Sequence, residues 1–306
     1  MPRQIFGARA WLEYAPFAAF YHAFKRIPLE RAVRIGASLG TLAAKLDRIN
    51  RPIAMRNLEI AFPQASEGER LTILTRAYQN WGRAAAEWCH FEQLTTENIG
   101  QFVILDGLEN LFRAKERSNG HGILFLSAHF GNFELLVLAA SLHGFPLALV
   151  QRPLRNPLIA ARVNRARESG GNVTVARRRA GRAVLRLLRQ DIMVGLAIDL
   201  DVRRGIFVDF FSMPASTTEA PAKLATVSHA PLLAGFIVRE GATPRHRVAI
   251  MPEIEVPREG TREEAVRQCT QHFTTAFEEM VRRYPDHWNW IHRRWKTRPP
   301  GEPRFY

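Results

Sequence analysis

From residue 102 onward, short apolar runs alternate with longer segments in which apolar residues recur at helical spacing. The short runs predict strands at 102–105, 123–126, 147–150, 173–175, 193–198, 206–210, 232–238 and 247–251. The segments between them predict helices, among them 108–115, 156–167, 181–189, 218–228 and 261–283. Strands that alternate with helices favour an α/β fold, in which helices flank a largely parallel central sheet.

Before residue 102 the pattern is helical throughout, with predicted helices at 28–48, 51–61 and 66–92. The helix at 28–48 carries small residues at Gly36 and Gly40, a spacing that suits close packing of two helices. We therefore predict a helical, membrane-associating region over residues 1–100, followed by an α/β domain with an aromatic and basic carboxyl-terminal tail over residues 101–306.

The segment at 8–25 combines aromatic residues with flanking cations. Pro16 and Glu13 interrupt its apolar run, which falls short of the roughly 20 apolar residues that a membrane-spanning helix needs. Two interpretations remain open. The segment either lies in the membrane interface as an amphipathic helix or packs against the protein core.

The chemically most informative residues lie where the strand at 123–126 passes into a helix. His129 follows the strand, and Glu134 comes five residues later in the first helical turn. Such a histidine can accept a proton from a substrate hydroxyl, while the carboxylate accepts a hydrogen bond from its other ring nitrogen. Gly131 allows close backbone approach. The structural alternative is that His129 caps the helix and Glu134 complements its dipole.

Basic residues dominate the stretch from 152 to 189, which contains eleven arginines and a single acidic residue, Glu168. Arg152 follows the strand at 147–150 and is expected at the same sheet edge as the histidine. The stretch suits a phosphorylated head group, an acidic carrier protein or a membrane-facing surface.

Two carboxylates, Asp199 and Asp201, follow the strand at 193–198. Carboxylates at that sheet edge can bind Mg²⁺ or orient a substrate hydroxyl. Alternatively, they cap the loop and pair with Arg203 or Arg204. Because no further ligand pattern accompanies them, we predict no metal site.

The whole chain carries a net charge of +14, which favours an acidic partner such as nucleic acid, an anionic membrane or an acidic protein. The sequence contains no zinc-finger spacing, no aromatic RNA-binding motif and no leucine-zipper register, so we do not expect nucleic acid as a partner. Cys89 and Cys269 are far apart and outside any metal-binding spacing, and we expect two free thiols.

Five blocks in order along the chain resemble one family, the bacterial lipid A late acyltransferases within the His-x4-Asp/Glu acyltransferases. These blocks are NLEIAFP at 57–63, HFGNFE at 129–134, Arg152 with Asn156-Pro157, the stretch 199–211, and WNWIHRRWKTRP at 288–299. The likeness runs from about residue 50 to the carboxyl terminus. The first catalytic block, HFGNFE, is closer to the general superfamily pattern, whereas the tail is closer to the lipid A enzymes.

This resemblance implies a glycerolipid acyltransferase-like fold and transfer of a fatty acyl chain from an acyl carrier protein thioester to a lipid A precursor. His129 is then the general base, Glu134 orients it, and Arg152 positions the substrate or stabilises charge. Further substrate contacts are expected at Arg155, Asn156, Asp199 and Asp201. No cofactor is expected, and the protein would act at the cytoplasmic face of the inner membrane.

Two alternatives to a lipid A acceptor remain. The acceptor can be a lysophospholipid or another glycolipid, since the resemblance at HFGNFE is general. The protein can also be a non-enzymatic, basic membrane- or nucleic-acid-binding protein, for which replacement of His129 would change nothing but stability.

Overall fold

The computed structural model describes residues 7–177 and 180–306. Within them the helices are α1 (Ala8–Lys25), α2 (Leu29–Leu46), α3 (Arg51–Ala61), α4 (Glu67–Trp88), α5 (Leu108–Arg117), α6 (Phe133–Leu142), α7 (Pro157–Glu168), α8 (Ala180–Arg189), α9 (Ala220–Ser228) and α10 (Arg262–Arg283). The strands are β1 (Val103–Asp106), β2 (Leu124–Ser127), β3 (Leu147–Gln151), β4 (Val173–Ala176), β5 (Met193–Ala197), β6 (Ile206–Phe210), β7 (Met213–Thr217), β8 (Leu232–Arg239) and β9 (His246–Ile250). Residues 1–6 of the predicted membrane-associating region, and Arg178 and Arg179 of the basic stretch, lie outside the described residues.

The central sheet has seven strands in the order β1-β9-β8-β2-β5-β3-β4. Strands β8, β2, β5, β3 and β4 run parallel to one another, whereas β9 is antiparallel to β8 and parallel to β1. All eight residues of β8 are buried, as expected for a strand with helices on both faces of the sheet. The predicted α/β class and its mainly parallel sheet are confirmed, and α1–α4 precede the first strand.

One predicted strand does not join this sheet. β6 pairs antiparallel with β7, which the sequence pattern did not predict, and the two form a separate hairpin. Its turn consists of Phe211 and Ser212, both with positive φ (53° and 58°). Because tight hairpin turns usually carry Asn-Gly or Asp-Gly, the Phe-Ser pair gave no local turn signal. The Phe211 amide donates to Glu278 of α10 (2.6 Å), and this contact holds the turn in place.

In the helical region, α2 packs against α4 with almost no space between their backbones. A Cβ atom on Gly36 would lie 2.3 Å from the Gly82 carbonyl oxygen, and one on Gly40 would lie 2.2 Å from that of Tyr78. Both glycines are therefore required by backbone contact, as the small-residue spacing predicted. No helix of the described segments has the length and apolar character to cross a membrane.

The two halves of α1 differ in exposure: core packing is observed for the second half, and contact of the first half with a membrane stays a prediction. Tyr21 and Phe24, near its end, are buried in a small cluster with α4, whereas Trp11 and Leu12, near its start, are exposed. The tryptophans of the tail are different: Trp288 and its two neighbours Trp290 and Trp295 are fully buried in the main core. These aromatic side chains of the tail therefore form part of the core.

Candidate active site

The site forms where two neighbouring parallel strands end together. β2 and β5 pair in register, so that Ser127 lies opposite Ala197. His129 follows the first of these residues by two positions, and Asp199 follows the second by two. The two side chains therefore emerge side by side at the carboxyl edge of the sheet, where open α/β folds place their ligands.

His129 and Asp199 are joined by two hydrogen bonds. The imidazole Nδ1 lies 2.9 Å from Asp199 Oδ1, and the His129 backbone amide donates to Asp199 Oδ2 (3.1 Å). The same Oδ2 accepts a bond from Trp288 Nε1 (3.2 Å). Because an ionised carboxylate can only accept, Nδ1 carries the proton of the neutral imidazole, and Nε2 is then the unprotonated acceptor.

The exposure of the pair suits a general base and its support. The Asp199 side chain is 0% exposed, whereas that of His129 is 31% exposed, so a substrate can reach the imidazole alone. Burial by itself would lower the pKa of His129, but the Asp199 carboxylate outweighs it, and the pKa is raised above its usual value. Burial likewise opposes ionisation of Asp199, yet His129 and the Trp288 donor hold the pKa of that carboxyl below its usual value.

The carboxyl-terminal segment fixes the loop that follows His129. Phe130 forms an antiparallel bridge with Trp288, and the Gly131 amide donates to the His287 carbonyl (2.7 Å). Gly131 has φ +57°, and a Cβ atom there would lie 2.1 Å from the Ile237 carbonyl oxygen. Only glycine fits this turn, which agrees with the predicted close backbone approach.

Glu134 does not contact the imidazole as predicted. Its carboxylate instead forms an ion pair with Arg167 of α7, whose Nε donates to Oε2 (2.8 Å), and Arg167 also donates to Gln151 at the end of β3. The predicted hydrogen bond between Glu134 and His129 is wrong, because Asp199 occupies Nδ1 from the adjacent strand. Glu134 still contributes to the raised pKa of His129 through its charge, and its catalytic role stays a prediction.

Of the two aspartates expected to contact substrate, Asp199 supports the protein, whereas the substrate contact of Asp201 stays a prediction. Asp199 is enclosed, as described above, and its oxygens face His129 and Trp288. Asp201 accepts bonds from the Thr297 amide (3.0 Å) and hydroxyl (2.9 Å), while its own amide donates to His292 Nε2 (2.9 Å). A direct substrate contact by Asp199 is therefore wrong. No group of three or more potential metal ligands is found among residues 7–177 and 180–306.

The three polar residues after β3 have different fates. Arg152 and Arg155 are exposed in the loop at the carboxyl edge, where a substrate could reach them. Asn156 is buried at the start of α7, and all four of its hydrogen-bonding positions are used. Its Oδ1 accepts from two amides of α7, while its Nδ2 donates to the Ala10 carbonyl (2.9 Å) and to Glu13 (3.0 Å) of α1. The predicted substrate contact of Asn156 is wrong: this side chain attaches α1 to the sheet edge.

Sequence reasoning missed a buried charge cluster behind the active-site loop. Glu87 of α4 pairs with Arg239 at the end of β8, and accepts a bond from Asn132 Nδ2 (2.7 Å). Asn132 in turn caps α6 through the Leu135 amide (3.2 Å). Although burial opposes it, nearby positive charge lowers the pKa of Glu87 below its usual value. The members of this buried charge cluster are single polar residues on distant segments, so no local sequence pattern marks them.

Comparison with known proteins places this geometry in context. The model of a family described as bacterial lipid A biosynthesis acyltransferase matches residues 7–297. The lipid A biosynthesis palmitoleoyltransferase of Escherichia coli (strain K12) is 27% identical over 308 residues, covering 99% of this chain and 97% of that protein. The lauroyltransferase of the same organism is 27% identical over 303 residues (97% and 95%), and its myristoyltransferase 26% over 272 residues (88% and 82%).

Proposed function

Because the chain belongs to the bacterial lipid A biosynthesis acyltransferase family, we propose that it transfers a fatty acyl chain from an acyl carrier protein thioester to a hydroxyl of a lipid A precursor. Membership of the family supports the reaction class and the acceptor. The observation that carries the mechanism is the His129–Asp199 pair, with its enclosed carboxylate and its accessible imidazole.

In this mechanism Nε2 of His129 removes the proton from the acceptor hydroxyl as its oxygen attacks the thioester carbonyl carbon. The resulting tetrahedral oxyanion collapses, the carbon–sulfur bond breaks, and the thiolate takes the proton back from the imidazolium. The products are an ester and a free thiol, and the enzyme is regenerated. Asp199 holds the imidazole in the required tautomer and stabilises the imidazolium while it exists.

Two cationic groups are candidates for a role in the reaction: Arg152, and Arg167, which lies close enough to affect the charge of His129. Arg152 follows β3, the strand next to β5, and is exposed at the same carboxyl edge as His129. We propose that Arg152 binds either the developing oxyanion or the phosphate of the donor arm. A guanidinium can bind both of these groups through two hydrogen bonds. Arg167 pairs with the Glu134 carboxylate. The negative charge of Glu134 raises the pKa of His129, whereas the positive charge of Arg167 lowers it.

The surface of α2 supports peripheral attachment to the cytoplasmic face of the inner membrane. Ile35, Leu39, Leu42 and Leu46 recur at intervals of three and four residues, so they lie on one side of the helix, and each is 41–67% exposed. The exposed cations Arg31, Arg34 and Lys45 flank this row. An exposed apolar row with flanking cations is typical of a helix that lies on an anionic bilayer.

The position of α1 connects that surface with the reaction. The exposed Trp11 and Leu12 lie beside Ala10, whose carbonyl is bonded to Asn156 at the carboxyl edge of the sheet. A membrane-bound acceptor would thus meet the enzyme near the edge that carries His129. This arrangement suits a substrate whose acyl chains remain in the bilayer while its head group reacts.

The direct test is an acyl-transfer assay with purified protein in detergent. Labelled acyl carrier protein thioester is offered with a phosphorylated lipid A precursor or, separately, with a lysophospholipid, and acyl coenzyme A serves as a second donor. We expect transfer to the lipid A precursor, its loss in a folded His129→Ala variant, and normal transfer by His121→Ala, a matched change at an exposed histidine before β2. Transfer to lysophospholipid alone would mean that the acceptor is a lysophospholipid and not a lipid A precursor. Equal activity of wild type and His129→Ala would refute the role of His129 as general base. Transfer by neither protein to any acceptor would favour the non-enzymatic alternative.

A further inference from the structure

A cavity lies between the loop after β5 and the carboxyl-terminal segment and is lined mainly by cations. It has a volume of about 490 Å³, and its walls include Arg203, Arg293, Lys296 and Arg304. The carboxyl-terminal segment supplies three of these cations, and the loop after β5 supplies the fourth. A concave site of this size is within the range that proteins use for small molecules.

None of the four cations has a carboxylate partner within residues 7–177 and 180–306. No ion pair found within the described segments involves any of them. The one acidic side chain in the lining, Asp201, is already bonded to the amide and hydroxyl of Thr297. Four like charges that converge on one cavity repel one another, and an anionic ligand would relieve this repulsion.

The cavity is close to the reacting histidine. Asp201 lies two residues beyond Asp199, and two residues of chain span at most about 7 Å. The same segment that supplies Arg293 and Lys296 also supplies Trp288, which donates to Asp199. One ligand head group can therefore occupy this cavity while a neighbouring hydroxyl lies at His129.

We infer that this cavity binds a phosphate monoester on the head group of the acceptor lipid, and so selects phosphorylated acceptors. The inference rests on the proposed function, since it concerns the acceptor of that reaction. Arginine binds phosphate oxygens through two parallel hydrogen bonds, and lysine adds a mobile point charge.

The charge of the cavity also separates the two substrates. A phosphate monoester carries close to two negative charges at neutral pH, whereas the phosphodiester of an acyl carrier protein arm carries one. Four cationic side chains and one acidic side chain, which is already hydrogen-bonded, match the monoester better. The volume exceeds that of a phosphate group and leaves room for part of a sugar.

The test compares wild type with the double variant Arg293→Gln, Lys296→Gln in steady-state assays. Acceptors are a phosphorylated lipid A precursor and the same lipid after enzymatic dephosphorylation, and the donor concentration is varied separately. We expect KM for the phosphorylated acceptor to rise about tenfold or more, because hydrogen bonds between charged groups are lost, with kcat and the donor KM unchanged. The dephosphorylated acceptor should be used equally by both proteins. The double variant Arg258→Gln, Arg262→Gln removes the same charge from an exposed surface and serves as the control.

Two outcomes would overturn the inference. Equal losses with both acceptors would mean that the cavity does not recognise phosphate, and a rise in the donor KM alone would assign the cavity to the carrier-protein arm. Binding of the phosphorylated lipid to His129→Ala, measured by equilibrium dialysis in detergent with and without the cavity substitutions, requires no turnover. If no protein shows transfer but the cavity substitutions still weaken this binding, the proposed reaction fails while the phosphate site stands.

Discussion

Replacing Asp199 by asparagine tests the positioning of His129 with almost no change in side-chain volume. In the native site, Oδ2 accepts bonds from two donors, the His129 amide and Trp288 Nε1. The oxygen of an asparagine amide would take that position, since an NH₂ group there would face two N–H donors. Its NH₂ group would then point at Nδ1 and would require the imidazole proton to move to Nε2. A base that already carries a proton on Nε2 cannot accept one from the substrate.

The size of the effect follows from the lost charge. Asp199 Oδ1 lies 2.9 Å from Nδ1, so the carboxylate interacts directly with the imidazolium that forms during attack. Two unit charges about 4 Å apart interact by about 4 kcal/mol at an effective dielectric constant of about 20. Since about 1.36 kcal/mol corresponds to a tenfold change in rate, we expect kcat of Asp199→Asn to fall about a thousandfold. The tautomer change adds to this loss.

The pH dependence provides a second readout with a defined sign. The base works only when it is neutral, so kcat/KM falls as the pH drops through the pKa of His129. Burial lowers that pKa, but the Asp199 carboxylate raises it by more, so we expect the acid limb of the native enzyme at a higher pH than the usual pKa of histidine would give. Removing the Asp199 carboxylate takes away the main effect that raises the pKa of His129, while burial still lowers it. The acid limb of Asp199→Asn should therefore move to lower pH.

Glu134→Gln is the matched comparison, because it neutralises the other nearby carboxylate. Glu134 is paired with Arg167 and makes no hydrogen bond to the imidazole, so we expect a smaller loss of kcat and a smaller shift of the acid limb. Both variants are assayed as kcat/KM across the pH range in which histidine titrates, with folding checked by circular dichroism. If Glu134→Gln loses more activity and shifts the acid limb while Asp199→Asn does neither, then Glu134 orients the base and the reasoning from the observed geometry is refuted.

Three further changes test the supporting structure. Trp288→Phe removes one hydrogen bond to the buried carboxylate, and we expect kcat to fall about tenfold or more with KM unchanged; an unchanged kcat would contradict this. Gly40→Ala places a methyl group 2.2 Å from a backbone oxygen and should lower the free energy of unfolding by about 1–3 kcal/mol in denaturant titrations, whereas Gly68→Ala, with open space around it, should not. The pair Leu42→Glu, Leu46→Glu should release the protein from anionic vesicles in a sedimentation assay, and full retention would exclude α2 as the attachment surface.

The sequence predicted the α/β class and the sheet edge that carries the site, because both depend on local patterns. Each buried strand is a short apolar run. The clearest example is β8, whose eight residues are all buried between the helices on the two faces of the sheet. Polar residues that follow such runs must lie at the carboxyl edge. The position of His129 could therefore be predicted without knowing the neighbours of its strand.

The partner of His129 could not be predicted in this way. The choice between Glu134, five residues away, and Asp199, seventy residues away, depends on which strand lies beside β2. That order is decided by packing of the whole sheet, for which a single run of residues carries no signal. The hairpin of β6 and β7 was missed for a related reason, since its turn is held by α10 rather than by turn-forming residues.

The carboxyl-terminal segment joins the separate parts of the site. Trp288 bonds Asp199, while Arg294, fully enclosed, donates to Ser216 and Thr217 of β7 (2.8 and 2.5 Å). Burial lowers the pKa of Arg294 to about 10, so the guanidinium is still charged at neutral pH and needs these acceptors. A segment anchored so firmly cannot shift without moving the partner of His129. Arg293 and Lys296, which line the proposed phosphate cavity, lie close to Arg294 in the chain. The anchoring of Arg294 therefore also fixes the position of these two residues relative to His129.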